Sequence, residues 1–246
     1  MNRILALYIF LLLCGTVSAQ QIVEWSDLQT ITDNSRRTVY YKKGRKQPLR
    51  GKYRIIRGLD EECVKFSVGR IKGDYRRYRD GVLRESGIYA KGKRNSTFTE
   101  YYQDGVTPRK ETPMQQGKID GTVKTYFRNG KIEAEKEYKQ SVESGRERRF
   151  DSKTGEQIFE SHYIDGKKDG EEWEIFEDAS TLRSRIIRHY RNGKLDGSYR
   201  VESTRDGKPY ITIEGQYTDG EKSGQWIEHN YDNNTQTCTW HGEGGA

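Results

Sequence analysis

Residues 163–173 read Tyr-Ile-Asp-Gly-Lys-Lys-Asp-Gly-Glu-Glu-Trp, and units of this form recur along the chain. Each unit is an aromatic residue, two residues, a glycine, three residues, a second glycine and then an aromatic residue. The clearest other copies are residues 190–199, 217–226 and 66–75. Weaker or partial copies surround Gly92, Gly117, Ser141 and Gly51. A unit that recurs in this way identifies a repeat architecture.

The second glycine of the unit sets the period of the repeat. Its positions are 51, 73, 96 (a serine), 121, 145, 170, 197 and 224, which are 22 to 27 residues apart. Eight positions in phase indicate about eight modules of about 24 residues each. The modules after Gly170 are the longest, so their extra residues belong in turns.

A second turn signal lies midway through most modules, at Asp80-Gly81, Asp104-Gly105, Asn129-Gly130, Thr154-Gly155 and Asp206-Gly207. Asp-Gly and Asn-Gly between alternating segments predict two-residue type I′ hairpin turns. Alternation along residues 211–217 predicts that Ile211, Ile213, Gly215 and Tyr217 share one face. Each module is therefore expected to be two antiparallel strands and two turns, and the modules must stack because one hairpin is marginal alone.

The composition excludes a thick core. From Gln20 onward, Ile, Leu, Val and Phe number 16, 6, 9 and 6, which is 37 of 227 residues, or about 16%. With 33% charged residues and regularly spaced aromatics, the sequence predicts an all-β fold. We expect an elongated single-layer antiparallel sheet of about eight stacked β-hairpin repeats, forming an open solenoid. The residues expected to carry the repeat are Gly69, Gly73, Gly117, Gly121, Gly166, Gly170, Gly193, Gly197, Gly220, Gly224, Tyr163, Tyr190 and Tyr217.

The stretches that begin at Tyr163, Tyr190 and Tyr217 resemble the MORN repeat, specifically the bacterial MORN-variant family often labelled YwqK-type antitoxin. The likeness covers roughly residues 39–231. It implies consecutive hairpins in a twisted sheet, and the family label implies a protein that neutralises a partner toxin. The modules at Gly92 and Ser141 depart from the pattern, since each lacks a glycine or an aromatic residue.

The amino terminus has the form of an export signal. A positively charged n-region, Met-Asn-Arg, is followed by an apolar run from Ile4 to Leu13 and by small residues at Val17 and Ala19. This pattern is typical of a signal peptide cleaved before Gln20. A buried amino-terminal helix and lipidation at Cys14 remain alternatives. The predicted organisation is a signal peptide (1–19), a lead segment (20–38), a MORN-like repeat array (39–231) and a tail (232–246). We expect export to the periplasm, the cell surface or the medium.

Cys63 and Cys238 are the cysteines that remain after cleavage, and about seven modules separate them. Because each hairpin adds two strands at about 4.8 Å spacing, an open sheet would place them on the order of 65 Å apart. A disulfide requires Cα atoms within about 7 Å. The sequence therefore predicts that they are not bonded within one chain.

Catalysis and metal binding have little support in the sequence. No nucleophile elbow, phosphate loop or zinc-protease motif occurs, so we expect no enzyme activity, no cofactor and no metal site. His162 and His189 hold the same repeat position and are expected to lie near each other, on the face opposite Tyr163 and Tyr190. The tyrosine row is interpreted as repeat core rather than as a platform for carbohydrates or bases.

Charge is distributed unevenly along the chain. Residues 34–100 hold 20 Lys and Arg against 7 Asp and Glu, whereas residues 101–246 hold 23 against 27. A basic half attracts anionic partners, and the candidate residues are Arg70, Lys72, Arg76, Arg77 and Arg79. The alternative is a solvated edge that resists strand-to-strand aggregation.

The leading interpretation is an exported, non-enzymatic repeat protein that binds another macromolecule or envelope component through its sheet surface. The partner would be a protein or an anionic envelope surface, namely lipid head groups, lipopolysaccharide or acidic glycan. Nucleic acid is not expected, because an exported protein seldom meets it. The alternative is an immunity-type protein that neutralises a toxin outside the cytoplasm.

Overall fold

The computed structural model describes residues 20–177, 183–205, 208–230 and 233–242, and in these ranges the chain is all-β. The described elements are 23 strands and a single 3-10 turn at Trp25–Asp27. The predicted signal peptide, Cys14 and the Asp206-Gly207 turn lie outside the described residues. The chain divides into two compact units, Met1–Val106 and Thr107–Ala246.

The first unit is a sheet with a separate hairpin. Its strands are β1 (Gln21–Glu24), β2 (Leu28–Thr32), β3 (Thr38–Lys42), β4 (Gly51–Arg57), β5 (Asp60–Ser67), β6 (Arg70–Ile71), β7 (Gly73–Arg79), β8 (Val82–Ala90), β9 (Lys93–Arg94) and β10 (Thr97–Tyr101). β1 pairs in parallel with β4, and the antiparallel order then runs β4, β5, β7, β8 and β10. β2 and β3 pair with each other as a two-stranded sheet.

The β2–β3 hairpin packs against the sheet of the first unit, so a single layer does not describe this unit. The Tyr40 ring lies 5.1 Å from the Phe66 ring, measured between centroids, and its backbone N–H donates to the Gly69 carbonyl at 2.8 Å. Val39 and Leu49 are buried. Residues 39–42 thus belong to this hairpin and residues 43–50 to the loop after it, and the antiparallel part of the sheet begins with β4 at Gly51.

The second unit is an antiparallel meander. Its strands are β11 (Pro108–Gln115), β12 (Lys118–Ile119), β13 (Gly121–Tyr126), β14 (Ile132–Lys139), β15 (Val142–Phe150), β16 (Gln157–Ile164), β17 (Lys167–Lys168), β18 (Gly170–Glu177), β19 (Arg183–Arg191), β20 (Lys194–Arg205), β21 (Lys208–Thr218), β22 (Glu221–Asn230) and β23 (Thr235–His241). Apart from the short β12 and β17, each pairs with its neighbours in chain order. No described register joins β23 back to β11, so this sheet is open.

The two glycines of the repeat unit have different conformational roles. The first glycine and the residue before it both have positive φ, as a type I′ turn requires. These pairs are Val68-Gly69, Lys91-Gly92, Gln116-Gly117, Asp165-Gly166, Asn192-Gly193 and Asp219-Gly220, and Gln140-Ser141 does the same without a glycine. The second glycine has φ between +63° and +117° at positions 73, 121, 145, 170, 197 and 224, where the returning strand starts or bulges.

The midway turns differ from the prediction. Asp80-Gly81 is a two-residue turn with positive φ at both residues. At Gly105, Gly130 and Gly155 the glycine alone has positive φ. The loop at Gly155 is longer. It is closed by a hydrogen bond from the Asp151 backbone N–H to the Glu156 carbonyl, at 2.9 Å. The prediction of type I′ turns was wrong at these three positions.

A β-bulge in β21 interrupts the predicted alternation of side chains between the two faces of the sheet. Val201 lies opposite Ile213, but Glu202 lies opposite Ile211, so Thr212 is an extra residue in this strand. A bulge of this kind shifts the following residues to the other face. Ile211 therefore leaves the face that Ile213, Gly215 and Tyr217 share.

Gly215 provides a test of packing in the second unit. The Trp226 ring lies directly over its Cα, in a space that a Cβ would occupy, and Trp226 is buried against Tyr199 and Tyr217. We expect Gly215→Ala to lower the free energy of unfolding by about 1–3 kcal/mol, because overpacking displaces the ring. In a Trp226→Leu background the same change should cost less. Equal costs in the two backgrounds, measured by urea denaturation, would contradict this account.

Candidate functional site

The structure splits the predicted basic cluster. Arg70 is ion-paired with Asp33 at 2.5 Å, and Arg77 lies 3.5 Å from the Glu85 carboxylate. Lys72, Arg76 and Arg79 are exposed. Arg76 and Arg77 are adjacent in β7 and point to opposite faces of the sheet. These five cations therefore do not form one binding surface.

A stronger basic site lies in the loop that connects β3 to β4. Residues 42–50 carry five Lys or Arg and no Asp or Glu. Lys43, Arg45, Lys46 and Arg50 are exposed, and none of them forms an ion pair within the described part of the chain. The run of cations at 42–50 is visible in the sequence, but only the structure shows that no described Asp or Glu from elsewhere in the chain lines the same cleft.

Backbone hydrogen bonds fix the shape of this loop. Leu49 is buried, its N–H donates to the Tyr40 carbonyl at 2.9 Å, and its own carbonyl accepts from Gly69 at 2.7 Å. Tyr41 forms an isolated β-bridge with Pro48. The N–H of Lys43 donates to the Asp27 carbonyl at 2.8 Å. The loop is therefore anchored at both ends, and its cations project from a fixed base.

The loop borders an open cleft of about 870 Å³. Lys42, Arg45, Lys46 and Arg50 line it, and no Asp or Glu does. Tyr53 also lines the cleft, and the Lys42 ammonium lies 5.9 Å from the centre of its ring. Four cations around one concavity attract anions, and an arginine fork matches phosphate or carboxylate geometry. We call this the basic cleft.

A smaller polar cavity, of about 140 Å³, lies elsewhere in the first unit. Arg57 and Arg77 face Asp60 and Glu62 in it, beside Trp25 and Ile55. Burial raises the pKa of Glu62, although the two arginines oppose that effect. Because the four charges balance, this cavity has no net attraction for an anion.

The most unusual buried group is Glu172, which is 0% exposed in the second unit. The Arg188 Nε donates to its carboxylate at 2.6 Å, and the Lys168 ammonium forms a second ion pair. Burial disfavours its charged form, but these hydrogen bonds outweigh that effect and hold the pKa of Glu172 below its usual value. The sequence pattern predicts Trp173 as the aromatic residue of this repeat unit, yet Glu172 holds the position that Tyr199 and Trp226 hold in later modules.

The histidine prediction is confirmed. Glu171 lies opposite His189 in register, and the Glu171 carbonyl lies 3.2 Å from His162 Nδ1, so the two histidines flank one acidic residue. Both are on the face opposite Tyr163 and Tyr190. In the described ranges no group of three or more His, Cys, Asp or Glu side chains is placed to hold a metal ion.

Cys63 lies on β5 of the first unit and Cys238 on β23 of the second, and neither is in a disulfide. No helix among the described residues is long and apolar enough to cross a membrane.

Comparison with known proteins does not place the chain in a family. No family model matches it, and no curated protein matches it. The resemblance to MORN repeats therefore rests on the sequence motif.

Replacing Glu172 tests the buried ion pairs. We expect Glu172→Gln to lower the free energy of unfolding by about 1–3 kcal/mol, because two cations lose a charged hydrogen-bond acceptor. The control is Glu171→Gln, since the Glu171 side chain is 49% exposed and its only ion pair among the described residues is with His189. That change should cost less than about 0.5 kcal/mol. Similar losses for both variants, measured by urea denaturation, would contradict a special role for Glu172.

The same residue predicts a dependence of stability on pH. The pKa of Glu172 is lower in the folded protein than its ordinary value of 4.5, so the unfolded chain binds this proton more readily. The stabilisation is therefore complete above pH 4.5 and is lost as pH falls through the folded-state pKa. We expect the gap in unfolding free energy between the parent and Glu172→Gln to narrow below pH 4.5. A gap that stays constant on acidification would refute this assignment.

Proposed function

We propose that the protein is an exported, non-enzymatic repeat protein that binds a phosphate-bearing anionic surface of the cell envelope through the basic cleft. The observation that carries this proposal is the anchored 42–50 loop, with its unpaired cations around one concavity. Lipid head groups and lipopolysaccharide both present phosphate groups to such a surface.

The energetics of this kind of site favour a broad, charged partner. Each Lys or Arg near an anionic membrane contributes about 1 kcal/mol, and the attraction is screened within a Debye length. Several cations acting together give useful affinity, whereas one does not. Because the cations are exposed, we infer binding that is reversible and sensitive to salt.

The scaffold that presents the cleft is proposed to be MORN-like. We infer about eight modules in an open solenoid from the in-phase turns, which recur from Gly69 to Gly220. Export is inferred from the apolar run and small residues of 1–19. An exported protein meets lipid head groups and lipopolysaccharide directly, which is consistent with the proposed partner.

The experiment is sedimentation of the mature chain with vesicles containing phosphatidylglycerol. Arg45→Glu combined with Lys46→Glu should weaken binding at least about tenfold, because two attractive charges become repulsive. The matched control is Lys118→Glu with Lys139→Glu, which makes the same change in net charge at two exposed positions of the second unit. The control should bind nearly as tightly as the parent.

Two results would overturn the proposal. One is an equal loss of binding in both double variants, which would mean that net charge alone attracts the vesicles. The other is no binding by the parent even at low salt.

A further inference from the structure

The edge of the second unit at β23 is open to another strand. β23 pairs with β22 at all seven of its positions, from Asn230 opposite Thr235 to Gly224 opposite His241. No described strand pairs with its other side. The backbone N–H and C=O groups on that side are therefore available to an added strand.

The composition of β23 is unlike that of the rest of this highly charged chain. The strand reads Thr-Gln-Thr-Cys-Thr-Trp-His and is the one strand described in the second unit without Lys, Arg, Asp or Glu. Residues 235–240 are exposed, and the Trp240 side chain is 75% exposed. Free edges in natural proteins are usually protected by charges, proline or bulges. β23 has none of these protections, which indicates that a partner covers it.

The strand is suited to pairing with a second copy of itself. Cys238 is the middle residue of seven, so a two-fold axis there gives an antiparallel ladder along the whole strand. Thr237 then faces Thr239 of the second copy, and Gln236 faces Trp240. No pair in this ladder opposes like charges, although the chain as a whole carries a net charge of +7. The strand of a second copy therefore meets no like-charged residue in this ladder.

The geometry also brings the two Cys238 side chains together. Directly opposed residues in antiparallel strands have Cα atoms about 4.5–5.5 Å apart. A disulfide accepts Cα separations of about 4.4–6.8 Å. Cys238 is exposed and free.

We propose that β23 is a homodimerisation edge, through which two copies join their sheets by antiparallel pairing centred on Cys238. The pairing is made by backbone hydrogen bonds and does not need a covalent link. With a disulfide oxidant such as oxidised glutathione, the two Cys238 thiols lose two electrons and two protons and form one disulfide, while the oxidant is reduced to two thiols. This inference is independent of the basic cleft.

Charge variants of the full mature chain test the pairing. Under reducing conditions the parent should have the mass of a dimer in light scattering, and Thr237→Lys with Thr239→Lys should be monomeric, because lysines would then face lysines. Thr237→Glu with Thr239→Glu should also be monomeric. Mixing the two variants should restore the dimer, since each lysine then faces a glutamate. Circular dichroism controls for folding, which changes at exposed threonines should not disturb.

Oxidation tests the register. With oxidised glutathione, Cys63→Ser should form a covalent dimer and Cys238→Ser should not, and mass spectrometry should find the Cys238–Cys238 peptide pair. A parent that is monomeric at every concentration, or charge variants that stay monomeric when mixed, would overturn the proposal. Cross-linking through Cys63 alone would overturn the register.

Discussion

The buried carboxylate of Glu172, held between Lys168 and Arg188, shows how a chain with so few aliphatic residues builds a folded sheet. In the second unit, Lys136 lies opposite Glu147 and Glu172 lies opposite Arg188. Both pairs belong to one row of side chains that runs across the strands. Such cross-strand pairs bury polar side chains without leaving them unsatisfied. In later modules, aromatic rings also hold the strands together. The Tyr199, Tyr217 and Trp226 rings contact one another there. Every other feature of the unit depends on the register that brings these partners together.

The first unit solves the same problem differently, and its solution creates the candidate site. A hairpin and loop from residues 28–50 cover the sheet, and the rings of Tyr40, Tyr53 and Phe66 pack between them. Asp33 and Glu85 neutralise Arg70 and Arg77 within the unit. The loop after β3 has no such acidic neighbours lining it, so its cations remain for a partner. Covering the sheet and presenting the charge are thus done by one segment.

Open sheets also need their edges managed, and charge is the usual means. The strands of this protein are rich in Lys, Arg and Glu, which suits exposed ladders in water. β23 departs from this rule, because it contains no Lys, Arg, Asp or Glu. The packing of its own unit does not explain this absence of charge. The proposed pairing of two copies would cover this neutral edge.

Local chemistry explains which features the sequence determined by itself. The all-β class and the type I′ turns follow from residues such as Asp165-Gly166. Positive φ is a requirement of the turn itself, and a glycine in the sequence indicates where it can be met. The repeat period follows for the same reason. Only the tertiary structure decided which of two adjacent residues, Glu172 or Trp173, faces inward, since register and bulges set that choice. It also decided which cations are free, because Arg70 finds Asp33 across 37 positions of sequence. Contacts between distant segments depend on packing, and no local pattern encodes them.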